Sequence, residues 1–246
     1  MLKGSKALVT GASRGIGYAI AKALAERGCS VVITGRNEKT LLEAAKSIGE
    51  NVTAMVWDAA DIRHAPQKIE EAANIMGGLD IVVNNAGLFA QRSEWSKESL
   101  LSTTVDEWDT VMKVNTSAVF FTMQAAADYM LKNNIHGNIL NVASVAGYEP
   151  AYGAYGASKT AVNNLTRGWG KMFAPDGITI NGIAPGPVAT EMNNWHEGDS
   201  LKHSRIPFGR FATIDEVASL AMHLLSKDAE MICGEMVVLD GAYHIR

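Results

Sequence analysis

Residues 144–159 read SVAGYEPAYGAYGASK. Tyr148, Tyr152 and Tyr155 fall within eight residues, with Ser144 upstream and Lys159 downstream. A phenol of ordinary pKa, near ~10, is a poor proton-transfer group at neutral pH. A nearby cation favours phenolate and brings the group toward its working range. Residues at i and i+4 share a helix face, so Lys159 can approach Tyr155. At that spacing Tyr152 has Gly156 and Tyr148 has Tyr152. Tyr155 is therefore the tyrosine marked for acid–base chemistry, with Ser144 available to hold the oxygen that takes its proton. The usual fate of a helical tyrosine is packing, and it is the lysine that sets Tyr155 apart. Tyr148 and Tyr152 remain candidate walls of a substrate site.

A second stretch has the composition of a phosphate cradle. TGASRGIG (10–17) follows an apolar run and leads into a helical pattern. Gly11, Gly15 and Gly17 let the backbone turn sharply and approach a ligand. The helix N-terminus beyond them offers free N–H groups to a pyrophosphate. The spacing is GxxxGxG, which differs from the general dinucleotide fingerprint GxGxxG. An NAD site usually carries an acid about 20 residues on, at the tip of the second strand. Here that tip reads Gly35, Arg36, Asn37, and Glu38 belongs to the first turn of the next helix. A guanidinium there suits a 2′-phosphate, and Arg14 can join it. The expected cofactor is NADP(H), with NAD(H) as the alternative.

These groups need a scaffold, and its pattern is visible. Apolar runs at 6–10, 30–34, 52–57, 79–84, 137–143, 178–184 and 236–240 lack strict alternation, as strands buried on both faces do. Between them, segments such as 17–28, 38–49 and 215–226 place apolar residues at helical spacing. Strand–helix alternation of this kind predicts an α/β fold, a doubly wound parallel sheet with helices on both faces. Neither linker nor repeat interrupts residues 1–246, so one domain is expected.

With TGASRGIG, NNAG at 84–87, YGASK at 155–159 and PGPVAT at 185–190 in that order, the chain resembles the short-chain dehydrogenase/reductase family. The resemblance runs from about Lys6 to the end. It implies a seven-stranded Rossmann-type sheet, a nicotinamide cofactor and reversible hydride transfer between that cofactor and an alcohol or carbonyl. It makes Tyr155 the acid/base, Lys159 its partner and Ser144 the hydrogen-bond partner of the substrate oxygen. Asn115, in MKVNTSAVFF, matches an asparagine that holds a water of a proton relay. For the cofactor it implies Gly11, Ser13, Arg14, Gly15, Ile16 and Gly17 in the first turn, and Arg36 after the second strand. Asp58 and Ala59 fall at the adenine edge, and Asn84, Asn85, Ala86 and Gly87 along the adenosine ribose and the middle of the cofactor. Pro185, Gly186, Val188 and Thr190 fall at the nicotinamide, beside Tyr155 and Lys159. Within the family, the build is similar to 3-oxoacyl-acyl-carrier-protein reductases; hydroxysteroid, sugar and polyol dehydrogenases are alternatives, and a non-catalytic cofactor sensor is the alternative of another class.

Two departures bear on specificity. The interval from Ser144 to Tyr155 is shorter than is usual in the family, and the segment 87–106, which holds Arg92, Trp95 and Lys97, is longer. A polar segment at 191–206 is a second lid candidate, with Trp195 and His196 as its residues to inspect. Gly168 and Gly170 on the helix after YGASK suggest a close backbone approach, to another subunit in a homotetramer or homodimer. Basic residues that could dock an acidic carrier are sparse: Lys132, His136 and Lys171. A net charge of −4 with no Lys/Arg cluster gives no nucleic-acid footprint. The six histidines show no metal-ligand spacing, and Cys29 and Cys233, far apart, read as free thiols of a reducing compartment. No run reaches the ~18 apolar residues of a membrane span, and the opening has no signal-peptide pattern. A cytoplasmic enzyme acting on a small carbonyl or alcohol is expected.

Overall fold

Each of the seven apolar runs forms a strand. The computed structural model describes residues 2–89 and 96–245. The strands are β1 (Lys6–Val9), β2 (Ser30–Gly35), β3 (Val52–Val56), β4 (Ile81–Asn84), β5 (Asn138–Val142), β6 (Thr179–Pro185) and β7 (Met236–Leu239). All pairings are parallel, in the order β3-β2-β1-β4-β5-β6-β7. Side chains alternate across each strand, and both faces are apolar. Val9, Ile33, Val83 and Ile183 face α1 (Gly15–Glu26), α2 (Glu38–Ile48) and α8 (Ile214–Leu224). Leu8, Val32, Val82 and Ile180 face α3 (Ala65–Met76), α6 (Ala118–Lys132) and α7 (Ala154–Phe173). Burying each such side chain contributes about 1.5–3 kcal/mol, so the sheet is the middle of a three-layer core. No helix among the described residues is long and apolar enough to cross a membrane.

The chain runs outward from β1 to β3, then returns to β4 on the other side of β1. Ligands of open α/β sheets bind at that reversal, beyond the carboxyl ends of the strands. Two irregular features lie around it. The lengthened segment carries a short helix, α4 (Lys97–Leu101), started by a reciprocal Ser96–Ser99 cap, and then α5 (Val105–Met112). Arg92 and Trp95 lie outside the described residues. Between α5 and α6, residues Lys113–Ser117 form a π turn, in which the Ala118 N–H reaches back to the Lys113 carbonyl. Such turns recur at functional sites, and Asn115 sits in this one.

One expectation is corrected here. Gly170 is crowded from within the chain: a Cβ would collide with Gly234 and stand 2.9 Å from the Ile180 carbonyl. Its lack of a side chain lets α7 lie on the approach to β7, and needs no second subunit. Gly168 has open space around it.

Candidate active site

The ends of β1 and β4 meet at the reversal. Thr10, just past β1, ties it together: its N–H donates to the Val83 carbonyl (2.9 Å), and its Oγ1 accepts from the N–H groups of Asn85 (3.0 Å) and Ala86 (3.2 Å). Asn85 Nδ2 donates back to the carbonyls of Thr10 (3.0 Å) and Gly11 (2.9 Å). Gly11 has φ +64°, and a Cβ there would stand 2.7 Å from Ala86 Cα, so only glycine fits. At Gly17 a Cβ would run into Asn85. Helix α1 starts at Arg14 with no side-chain cap and no acid in its first turn, leaving its leading N–H groups to an anionic ligand. The NNAG asparagines thus divide differently from expectation. Asn84 is buried and donates to Asn141 Oδ1 (2.9 Å), and Asn141 Nδ2 donates to Thr166 Oγ1 (2.9 Å), which stitches the sheet to α7. Asn85 braces the glycine turn.

Around this cradle, Arg36 is exposed at the end of β2 and Asn37 caps α2. Glu38 sits in the first turn of α2, as its sequence position suggests. Arg14 is exposed and pairs with Glu191 (2.5 Å), which links the first turn to the segment after Thr190. Asp58 is exposed beyond β3, where its carboxylate accepts from the Ala60 N–H (2.9 Å) beside Ala59. Ser13 and Ile16 are half-buried on the first turn. Pro185 ends β6, the Gly186 N–H bonds the Leu239 carbonyl (2.9 Å), Val188 is buried, and Thr190 Oγ1 lies 3.4 Å from the Val188 carbonyl.

Helix α7 presents the reactive pair. Lys159 Nζ lies over the Tyr155 ring, 5.7 Å from its centroid, and donates to the Val142 carbonyl at the end of β5 (3.2 Å). Ser144, two residues beyond β5, accepts from the Ala146 N–H (3.2 Å), which fixes the turn Val145–Gly147. The Ser144 and Tyr155 side chains share a hydrogen bond. Gly87 borders both Asn115 and Lys159: a Cβ there would be 3.5 Å from Asn115 Oδ1 and 3.7 Å from Nζ.

The electrostatics correct a second expectation. The Tyr155 phenol is pushed above its ordinary pKa by burial, with the Ser144 hydrogen bond pulling it down. The ring keeps a partly exposed edge, but the protein around it outweighs that access. Burial lowers Lys159 to about 8. The ammonium faces the ring and bonds Val142, and desolvation is the largest influence on the phenol. At neutral pH the site therefore holds a protonated phenol beside a charged lysine.

Asn115 is fully buried, and both its Nδ2 protons are engaged, by the Leu88 carbonyl (2.9 Å) and Ser158 Oγ (3.1 Å). Its Oδ1 accepts from the Leu88 N–H (2.7 Å). Both donors of this side chain are thus engaged within the protein, while Oδ1 keeps a second lone pair for a water of the kind the resemblance implies. Tyr148 turns away from the reactive pair: its hydroxyl donates to the Met236 carbonyl (3.3 Å), and its ring lies 5.9 Å from His244. Tyr152 is exposed, and Trp195 is half-buried, its indole N–H without a partner among the described residues. Four contributors escaped sequence reasoning: the Val142 carbonyl, the Leu88 peptide, Ser158 and Phe89. Ser158, inside YGASK, was in view; the others are joined to the site by contacts far apart in sequence.

A family described as Enoyl-(Acyl carrier protein) reductase matches residues 11–244. Gluconate 5-dehydrogenase of Gluconobacter oxydans is 36% identical over 251 residues, covering 98% of this chain and 94% of that protein. The 3-oxoacyl-(acyl-carrier-protein) reductase of Thermotoga maritima is 33% identical over 248 residues, covering 98% of each. Among solved structures, 3-ketoacyl-(acyl-carrier-protein) reductase of Brucella melitensis complexed with NADH superposes with a TM-score of 0.90 at 29% identity, over 100% of both chains. A candidate 2-deoxy-d-gluconate 3-dehydrogenase of Agrobacterium tumefaciens with bound NADP gives 0.85 at 34% identity, over 100% of this chain and 98% of the other.

Proposed function

Because the chain belongs to the short-chain dehydrogenase/reductase family, and so is an oxidoreductase acting on alcohols and carbonyls, we propose that it is a cytoplasmic, NADP(H)-dependent reductase of small ketones with Tyr155 as its acid. The observation that carries this is the geometry at Tyr155, with Ser144 as its hydrogen-bond partner and the Lys159 ammonium 5.7 Å from its ring centroid. The uncapped start of α1 and the open approach at Gly11 suit a dinucleotide's phosphates. A reduced nicotinamide nucleotide bound there supplies the hydride. Ser144 holds the carbonyl oxygen, and Tyr155 gives its O–H proton to that oxygen as the C=O π bond opens to C–O–H. Lys159 carries the positive charge that steadies the resulting phenolate. In the alcohol-oxidising direction the same groups work in reverse.

The cofactor preference is supported by Arg36, exposed where an NAD site would carry an acid. Arg36→Asp is expected to lower kcat/KM for NADPH about ten-fold or more and spare that for NADH; an unchanged ratio removes Arg36 from the reading. The relatives include enzymes of carrier-bound acyl groups and of sugar acids. Lys132, one of the few cations available for an acidic carrier, is already paired with Asp128 (2.6 Å), which favours a free small molecule as substrate. An apolar groove on α6 and α7, lined by Phe120, Phe121, Leu165 and Trp169, supports assembly with further copies as a homotetramer. A panel of ketones, ketoses and acetoacetyl-CoA, followed by NADPH absorbance, tests the reaction and ranks its substrates.

A further inference from the structure

We propose that Phe89 is a specificity-determining residue, an apolar wall beside Tyr155 that selects carbonyl compounds bearing an alkyl or aryl group next to the C=O. This rests on the carbonyl-reductase reading above and names its substrate class. The Phe89 ring meets the Tyr155 ring edge-on, with centroids 4.8 Å apart and planes at 77°. That geometry is the favoured one for an aromatic pair. Yet 41% of Phe89 stays exposed. Among the described residues, a large apolar surface is thus left uncovered immediately beside the reactive phenol.

The ring's place is built in. Leu88, the preceding residue, is held at both backbone groups by one buried amide: its N–H donates to Asn115 Oδ1 and its carbonyl accepts from Asn115 Nδ2. The second Nδ2 proton goes to Ser158 Oγ, and Ser158 Oγ donates to the carbonyl of Tyr155 itself (2.6 Å). A continuous chain of hydrogen bonds therefore runs from the peptide carrying Phe89 to the helical turn carrying Tyr155. It passes through Asn115 in its π turn, which aims this side chain where a regular helix would not. Asn115 is in this account a positioning residue that fixes wall and acid relative to each other. The exposed Phe89 face so positioned suits a hydrocarbon substituent and offers no hydrogen-bond partner to the hydroxyl of a polyol that lies against it, which is costly.

Phe89 also excludes water from one side of Tyr155. The titratable group facing the phenol from α7 is Lys159, and the Ser144 hydroxyl faces it from the turn after β5. Truncating Phe89 leaves both in place and removes only apolar cover, so the phenol falls toward its ordinary pKa.

The experiment compares wild type, Phe89→Ala and Phe89→Leu on acetophenone, 2-octanone and D-fructose with saturating NADPH, each across pH 6 to 10. Phe89→Ala is expected to lower kcat/KM for the two apolar ketones about ten-fold relative to fructose and to move the alkaline limb of the profile to lower pH. Phe89→Leu, which keeps an apolar wall, should stay near wild type. Wild-type turnover with an unmoved selectivity ratio in Phe89→Ala, or a wild-type preference for fructose, overturns this assignment alone. Absence of wild-type turnover on all three ketones overturns the proposed reaction and this assignment with it.

Discussion

Tyr155→Phe should lower kcat/KM for ketone reduction by about 10²–10⁴-fold, the usual contribution of a positioned general acid. The substitution deletes one hydroxyl and keeps the ring, so the edge contact with Phe89 and the position of the Lys159 ammonium over the ring both persist. The cradle of Gly11, Asn85 and the α1 N-terminus is untouched, and NADPH should bind within a few-fold of wild type by fluorescence titration. Loss of cofactor binding in parallel with turnover would point to a collapsed site, and full turnover would show that another group delivers the proton.

Lys159→Met should separate stability from activity. Unfolded, the lysine keeps its proton to its ordinary value of 10.5; folded, burial lowers it to about 8. Between those values the unfolded chain binds more protons, so stability rises with pH there. Below about pH 8 the buried charge costs the fold the full amount, roughly 3 kcal/mol at 1.36 kcal/mol per pKa unit. Methionine removes that cost, and stranding the Val142 carbonyl takes back about 1 kcal/mol. The variant should therefore be about 2 kcal/mol more stable at pH 7, seen as a later denaturant midpoint, with the gain shrinking toward pH 10.5. Its kcat should fall at least a hundred-fold, because the developing phenolate loses its cation. Equal stability at pH 7 would mean that the lysine charge is better solvated than its burial indicates.

Much of the fold could be read from residue order because its signals are local. Seven short Val/Ile-rich runs each became a strand, and the residues flanking Gly11 and Asn37 began the helices that their chemistry suggested. The pairing of Tyr155 with Lys159 was equally local, four residues apart on α7. What could not be read depends on contacts across the chain. The π turn at Asn115 is paired with a peptide 27 residues earlier, and nothing in MKVNTSAVFF breaks the helical pattern to announce it. Asn84 and Asn85 look interchangeable in NNAG, but the alternation of β4 sends the first into the sheet and leaves the second at the cradle. Gly170 reads in sequence as an intersubunit contact, but Gly234, 64 residues on, is what crowds it. Lys159 is close to the phenol in sequence, but the burial that raises the phenol comes from residues scattered along the chain.

The proposed reaction passes a hydride to a carbonyl carbon and a proton from Tyr155 to its oxygen. It is tested most directly with NADPH carrying deuterium at C4 on one face, mixed with an active ketone, and the alcohol analysed by mass spectrometry and NMR. One of the two C4-labelled cofactors should place a single deuterium on the carbinol carbon of the product, and the other none. Alcohol free of label from both cofactors, or NADPH bound tightly with no alcohol formed from any ketone of the panel, would contradict it.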